Sequence, residues 1–136
     1  MIAHREAVAA ALAADPDLAV YDGPPKTGEP LRKPPYVVVY VYTPFEDRTK
    51  LCGTTDETTV TAITHSVGGS IAAAEIVARN VRRNLLDATL TVGGWECWSI
   101  RHESGQPTRW DDTTGETVAD TVDEWQYLAE PLPDLP

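Results

Sequence analysis

The pattern of apolar and polar positions predicts a sheet built around one hairpin. Residues 36–42 are all tyrosine or valine, and at the two-residue period of a strand the three tyrosines and Val38 share one face, while Val37, Val39 and Val41 share the other. Because both faces are apolar, we expect a central strand, which ends near Pro44. Residues 58–67 are rich in threonine and predict an antiparallel partner strand, joined to the first by a polar loop over residues 45–57.

Two segments have the composition and spacing of helices. Residues 2–14 are rich in alanine and stop at Asp15, because the residue before a proline is pushed out of the helical region. Residues 71–86 carry apolar positions at three- and four-residue spacing, which predicts one buried stripe along a helix. Ser70 precedes this helix and is a good N-cap, since its hydroxyl can accept a hydrogen bond from a first-turn amide. The stripe consists of Ile71, Ala74, Ala78, Val81 and Leu85, with Val77 beside it.

The second half of the chain predicts further strands. Residues 90–92 fit a short strand that is followed by a turn at Gly93-Gly94. Residues 95–103 fit a strand with Trp98, Ile100 and His102 on one face. Residues 104–115 are predicted to form a polar loop, and residues 117–129 a last strand.

Two segments are too rich in proline for a regular element. They are residues 22–35, which we interpret as an arm, and residues 130–136, which we interpret as an extended tail. Residues 18–21 fit a brief strand before the arm. We therefore predict one domain over residues 1–136. Its fold class is α+β, with a mostly antiparallel sheet, helices packed on one face, and long loops.

Composition and charge narrow the function. The chain has 136 residues, of which 42% are hydrophobic and 24% charged, as in ordinary single-domain globular proteins. Its net charge of -10 disfavours tight binding to nucleic acid, although an acidic channel would let a duplex slide without sticking. No apolar run has the length of a membrane span, and the first residues lack the apolar core of a signal peptide, so we expect a cytoplasmic origin.

The turn between the second strand and the second helix is the place where a phosphate site would be expected. Its sequence is His65-Ser66-Val67-Gly68-Gly69-Ser70. No lysine follows the glycine pair, and no third glycine has the spacing of a dinucleotide fingerprint. Free amides at a helix start can still hold an anion, but no basic residue flanks this turn. We therefore favour a structural turn and helix cap.

Histidine and cysteine are residues that zinc prefers, but their spacing here is not that of a zinc site. None of His65, His102, Cys52 and Cys97 has a second ligand two to four residues away. The two cysteines also lie outside any CxxC pair, in a chain expected in a reducing compartment. We expect free thiols, with a disulfide between them as the alternative.

Two other sets of polar residues could form a catalytic or a metal site, but neither has the sequence motif of such a site. Ser66 or Ser70 could act as a nucleophile beside a histidine, yet no G-x-S-x-G elbow is present. An acidic group could bind a divalent cation, but it lacks the alternating acid and glycine of a calcium loop. That group consists of Asp111, Asp112, Glu116 and Asp120. We therefore predict no catalytic residue, no metal site and no cofactor.

The chain has four tryptophans, and basic residues do not alternate with them as they do in surfaces that bind single-stranded nucleic acid. Such tryptophans are typical of core or interface positions. They are Trp95, Trp98, Trp110 and Trp125. Trp110 differs from the others because it lies in a predicted polar loop between Arg109 and Asp111. An exposed tryptophan beside an arginine is typical of a protein interface.

Four stretches of the chain carry a resemblance to one family. They are residues 35–40 (Pro-Tyr-Val-Val-Val-Tyr), residues 51–54 (Leu-Cys-Gly-Thr), the strand-to-helix passage of residues 61–86, and residues 100–112 (Ile-Arg-His-Glu-Ser-Gly-Gln-Pro-Thr-Arg-Trp-Asp-Asp). In their order along the chain and in their short sequences, they resemble the small tail terminator, or tail completion, proteins of long-tailed bacteriophages (siphoviruses), especially those that infect actinobacteria. The resemblance covers most of the chain and includes no catalytic signature.

The resemblance implies a structural virion protein rather than an enzyme. Such a protein is an α+β protomer that assembles in the host cytoplasm into a sixfold ring, at the head-proximal end of the tail. The ring stops polymerisation of the tail tube and offers a surface for head–tail joining. The implied partners are other copies of the chain, the major tail tube protein and a neck or connector protein. DNA would pass through without specific binding, and no membrane is involved.

The predicted contact residues are charged or aromatic and fall into two groups. Arg109, Trp110 and Asp112 are predicted to make a subunit or tube contact, because they combine an aromatic anchor with charges. The second group is a cluster of arginines in an acidic chain, predicted to contact acidic loops of a neighbour. It consists of Arg79, Arg82 and Arg83. The helix dipole also explains these arginines, since all three lie toward the C-terminal half of the helix.

Three other functions fit the same sequence. A head-completion or connector protein of the neck would have much the same composition. A small enzyme or anion-binding protein would use His65 and the Gly68-Gly69-Ser70 turn. A host-derived binding module would use its proline-rich segments as ligands.

Overall fold

The computed structural model describes residues 2–47, 57–113 and 115–133, and within these ranges the chain forms two helices and seven strands. In chain order they are α1 (Ile2–Ala13), β1 (Val20–Asp22), β2 (Tyr36–Asp47), β3 (Glu57–Gly68), α2 (Ile71–Leu85), β4 (Trp95–Cys97), β5 (Arg101–Gly105), β6 (Arg109–Asp111) and β7 (Val118–Pro131). Most of the predicted loop between β2 and β3, including Cys52, lies outside the described residues.

The strands form one mostly antiparallel sheet with β3 at its centre. The order along the sheet is β1-β2-β3-β7, with β3 antiparallel to both of its neighbours. Only β1, at one edge of the described sheet, pairs in parallel. The far side of β7 is lined in succession by the short strands β6, β5 and β4. This arrangement confirms the predicted α+β class with a mostly antiparallel sheet.

Strand β2 confirms the prediction of a central strand with two apolar faces. Val37 and Val39 are fully buried on the face that the helices cover. Tyr36 and Val38 are buried in a smaller cluster on the other face. We refer to the two sides as the helix-covered face and the open face. The two-residue period of the strand thus places a different surface on each of its sides.

The predicted end of β2 near Pro44 is wrong. The strand continues to Asp47, and its pairing with β3 shifts register between Tyr42 and Phe45. Such a shift is the mark of a β-bulge, where a residue drops out of the hydrogen-bond ladder. Proline has no amide hydrogen to donate, so a bulge accommodates Pro44 without ending the strand.

Helix α2 begins as predicted after Ser70, whose hydroxyl accepts a hydrogen bond of 3.1 Å from the backbone N–H of Ala73. Its buried residues are Ala74, Val77, Val81 and Leu85. The prediction that Ile71 belongs to this stripe is wrong, since its side chain is 40% exposed. The helix first touches the sheet at Ala73 and Ala74, whose atoms lie closest to Gly68, and Ile71 precedes that contact.

The core lies between the helices and the sheet. Both α1 and α2 pack on the helix-covered face, α1 through Val8 and Leu12, and together with the strands they enclose the indole of Trp125, which is 1% exposed. Asp15, directly after α1, joins the two helices. Its carboxylate accepts hydrogen bonds from Arg83 at 3.0 Å and Asn84 at 2.8 Å.

Three predictions for the second half of the chain are wrong. Residues 90–92 form no strand, and a single bridge joins Val92 to Trp95 across the predicted glycine turn. The predicted strand of residues 95–103 is two strands, β4 and β5. It breaks because the backbone N–H of Ile100 donates to Ala88 and its carbonyl accepts from Asp87, so this residue pairs with the loop after α2 instead of β7.

The predicted polar loop of residues 104–115 holds part of β5 and all of β6. Strand β6 pairs with Val118, Ala119 and Asp120 at the start of β7, where β5 no longer pairs. The backbone N–H and C=O groups of β7 find their partners there in β6. The last strand is confirmed and extends to Pro131. Beyond it the backbone N–H of Leu132 donates to Gly94, and residues 134–136 of the predicted tail lie outside the described part of the chain.

Candidate interaction surfaces

The three predicted arginines of α2 differ in their surroundings. Arg83 is used within the subunit, since its guanidinium contacts Asp15 at 3.0 Å. Arg79 and Arg82 instead line a shallow groove of about 330 Å³ between α2 and the sheet, beside His102 and Asp123. We call it the arginine groove. Arg79 and Arg82 are the better placed of the three to contact a neighbour.

The second predicted group lies at and beside β6. Arg109 and Trp110 belong to this strand, and Asp112 follows it. The indole of Trp110 is 53% exposed, which is unusual for a tryptophan paired into a sheet. An interface role for both groups stays a prediction.

The open face carries a cleft that the sequence analysis did not anticipate. Its volume is about 520 Å³, and it lies between the proline-rich segment and strands β2, β3 and β6. We call it the tyrosine cleft. Its lining includes Pro30, Leu31, Tyr36, Tyr40, His65 and Asp111. Because the alternation in β2 puts all its tyrosines on this face, the pattern did carry a signal for an aromatic surface here.

Arg32 holds in place the proline-rich segment, which forms one wall of the tyrosine cleft. Its guanidinium donates to the carbonyl of Gly23 at 3.0 Å and pairs with Glu29 at 3.3 Å. It also lies 4.2 Å from the ring centre of Tyr21, which in turn meets Tyr36 edge to face at 5.6 Å. The proline-rich segment, predicted as an arm, therefore has its own hydrogen bonds and folds onto this face of the sheet.

The carboxylates at the cleft are held in their charged form. Hydrogen bonds from the Lys26 amide and the Arg32 side chain lower the pKa of Glu29. The hydroxyl and amide of Thr113 lower the pKa of Asp111 in the same way. Burial raises the pKa of Tyr36, so its phenol stays neutral. The cleft thus combines neutral aromatic rings with charges that already have partners.

Each histidine outside α1 pairs with an aspartate across strands. Nδ1 of His65 lies 3.0 Å from Asp120 on the open face, and Nε2 of His102 lies 2.9 Å from Asp123 beside the arginine groove. These pairs join residues 55 and 21 positions apart in the chain, so the sequence could not show them. In residues 2–47, 57–113 and 115–133, no three potential ligands are grouped as a metal site would require.

The glycine turn has a packing role. A Cβ on Gly68 would lie 2.4 Å from the backbone nitrogen of Ala74, closer than any side chain can approach, whereas one on Gly69 would meet nothing within 4 Å. Gly68 therefore lets α2 lie directly against β3. Ser70 caps the helix with its hydroxyl, and Ser66 is fully buried. This geometry favours the structural interpretation of the turn.

The remaining tryptophans and the described cysteine have structural surroundings. Trp125 lies in the core and donates from its indole to Thr64 at 3.0 Å, and Trp95 packs edge to face against His4. Trp98 is 44% exposed. Burial raises the pKa of the Cys97 thiol, which lowers its reactivity. Cys97 is a free, partly buried cysteine, as predicted, and Cys52 lies outside the described residues.

Comparison with solved structures shows that the fold is shared with a virion protein. A scan of protein-family models and a search of curated proteins found no match. Among solved structures, the chain is similar to a chain in the virion of a native gene transfer agent (GTA) particle, with a TM-score of 0.65 and 20% sequence identity. The match covers 91% of this chain and 93% of that chain, so the two share a fold over nearly their whole lengths. Neither helix in the described residues has the length and apolar character needed to cross a bilayer.

Proposed function

We propose that the chain is a structural protein of a phage virion. The observation that carries this proposal is the fold shared with a chain of a gene transfer agent virion, over 91% of one chain and 93% of the other. An absence of enzymatic activity is part of the proposal. The glycine turn, the strongest candidate for chemistry in the sequence, is accounted for by packing and capping.

Within the virion, the proposed role is that of tail terminator. The chain forms a sixfold ring at the head-proximal end of the tail tube, ends tube polymerisation and joins the tube to the neck. The resemblance of residues 35–40 and 100–112 to tail terminators supports this finer assignment. The net charge of -10 suits a passage through which DNA moves without binding.

The proposed contacts of the ring are the two exposed groups. Trp110 has the exposed area of an interface anchor, with Arg109 and Asp112 on either side of it in sequence. Arg79 and Arg82 offer positive charge in an otherwise acidic chain, so an acidic surface of a neighbouring subunit complements them.

Solution mass and electron microscopy test this function. We expect the chain, alone or mixed with purified tail tube protein, to form rings of six copies that cap one end of each tube. A chain that stays monomeric and never binds tubes would refute the tail terminator role. Binding to a purified connector instead of tubes would assign the chain to the neck.

Variants in the same assay test the contact residues. Trp110→Ala is expected to reduce tube capping about tenfold or more, as the loss of an interface hot spot does. Trp98→Ala is the matched control, because its indole is exposed to a similar degree, 44% against 53%. Charge reversal of Arg79 and Arg82 should weaken the same assembly without unfolding the chain. If all these variants capped tubes as well as the parent chain does, neither group would belong to the interface.

A further inference from the structure

Strand β7 leads into a proline-rich segment of the sequence, whose described residues Leu132 and Pro133 are exposed. Strand β7 ends at Pro131, and the sequence continues Leu132-Pro133-Asp134-Leu135-Pro136. The backbone N–H of Leu132 is held by Gly94 at 2.8 Å, while its side chain is 51% exposed. The start of the segment is thus fixed in position, with an apolar side chain facing outward. We call residues 131–136 the proline tail.

The tyrosine cleft has the chemistry that binds such a segment. Proline-rich chains favour the polyproline II conformation, and grooves lined by aromatic side chains bind it with little loss of chain entropy. Tyr40 is 38% exposed, and its ring stands edge to face on His65 at 5.7 Å. Leu31, on the opposite wall, is 53% exposed. The cleft therefore offers apolar surface on both sides of a groove.

The charges of the cleft favour an apolar occupant over an ion. Arg32 is paired with Glu29, and His65 with Asp120. Asp111 accepts hydrogen bonds from Thr113. Because the Arg32, Glu29 and Asp111 side chains of the lining already have bonding partners, a free ion gains little from them, whereas proline and leucine side chains gain burial.

The proline tail cannot reach the cleft of its own chain. The cleft residue nearest the tail along the strands is Tyr40, which pairs with Ile63 and so lies level with Glu124, while the tail starts at Pro131, seven residues further along β7. At the rise of a strand this separation is about 23 Å. Residues 132–136, even fully extended, span at most about 18 Å. Only the cleft of another copy is within reach.

We propose that the proline tail of one copy binds in the tyrosine cleft of a neighbouring copy. This contact is heterologous, since a different surface is used on each partner, and such contacts close into rings when the rotation between subunits allows it. It deepens the proposed function by naming one subunit contact of the ring. Its first test needs no tail tube, so the two proposals can fail separately.

Peptide binding is the direct test. A labelled peptide of residues 130–136 is titrated with the full-length chain carrying Leu132→Ser and Leu135→Ser, whose own tail cannot compete. We expect saturable binding that Tyr40→Ala weakens about tenfold or more. Tyr42→Ala is the matched control on the same face of β2, since it is 41% exposed but does not line the cleft. Its effect should stay within about twofold.

Three results of the titration would overturn the proposal. They are the absence of saturable binding at millimolar protein, equal binding of a scrambled peptide, and equal losses from Tyr40→Ala and Tyr42→Ala. Salt gives a further check. The peptide carries Glu130 and Asp134 and the chain has a net charge of -10, so salt should leave the Kd of the cleft contact unchanged or lower it, whereas a contact through the arginine groove weakens as salt screens it.

A mixing experiment tests whether the contact joins two copies. The Tyr40→Ala chain keeps its tail, and the Leu132→Ser, Leu135→Ser chain keeps its cleft. At concentrations above the measured Kd, we expect the mixture to form a species larger by one copy than either variant forms alone. A mixture that sediments no faster than the two variants alone overturns the proposal. Full capping of tail tubes by the tail variant also overturns it and leaves the proposed function standing.

Discussion

On the helix-covered face of β2, Val37 and Val39 are fully buried, whereas on the open face of the same strand Tyr40 and Tyr42 are 38% and 41% exposed. On the first face the helices bury both valines. The proline-rich segment and β6 cover the second only in part and leave the tyrosine cleft. One strand thus contributes to the core through one set of side chains and to a free surface through the other.

The polar groups on the two faces differ in the same way. On the helix-covered face, the indole of Trp125 donates to Thr64, and His4 and Tyr127 meet at 2.9 Å, all of them buried. On the open face, the His65 side chain remains 32% exposed beside Asp120. From this difference we infer that stability depends mainly on the helix-covered face, and that the open face is available for contacts with other molecules.

The largest expected effect is that of truncating the core tryptophan. Trp125→Ala should lower the free energy of unfolding by about 3–5 kcal/mol, since it empties the most buried large site and leaves Thr64 without its donor. Tyr40→Ala, on the open face, should cost less than about 1 kcal/mol. Urea unfolding of both variants measures the two values. Equal losses would contradict the assignment of stability to one face.

The second effect concerns the approach of α2 to the sheet. Gly68→Ala should destabilise the chain by about 1–3 kcal/mol, because its Cβ would meet backbone atoms of α2 that cannot move independently. Gly69→Ala is the matched control, with open space at its Cβ and an expected change within about 0.5 kcal/mol. Thermal or urea unfolding separates them. If Gly69→Ala were the more damaging change, the turn would have a role other than packing.

Local patterns predicted the helix-covered face well. The alternation of residues 36–42 and the spacing in residues 71–86 each describe one element packing on one core, and these predictions are confirmed for β2 and for most of α2. In the second half of the chain, the errors arose where backbone pairing changes partner. Ile100 bonds to the loop after α2, and Arg109–Asp111 completes the edge of β7 despite a polar sequence. Periodicity cannot show such a change, because the side-chain pattern continues through it.

The open face was harder to predict because distant segments build it. The tyrosine cleft requires the proline-rich segment to fold onto β2, and the pair of Arg32 with Glu29 that fixes it gives no sequence motif. The pair of His65 and Asp120 depends on the register between β3 and β7. Trp110, by contrast, was found to be exposed as the sequence suggested, although in a strand instead of a loop.

The smallest effect tests how the two helices are joined over the core. The pKa of Asp15 lies below its ordinary value of 3.8, because the Asp17 amide, Asn84 and Arg83 donate to its carboxylate. A lowered pKa stabilises the fold above that ordinary value, and the contribution is lost as pH falls through the folded-state pKa. Asp15→Asn should therefore lower Tm at pH 7, by less than Gly68→Ala does.

The difference in Tm between Asp15→Asn and the parent chain should shrink below about pH 3.8, where the parent loses the same charge. Asp17→Asn is the matched control, since this neighbour contributes only its backbone amide to the cluster and its side chain is exposed. A Tm difference for Asp15→Asn that persists unchanged in acid would mean that the shape of the side chain, and not its charge, holds the helices together over the covered face.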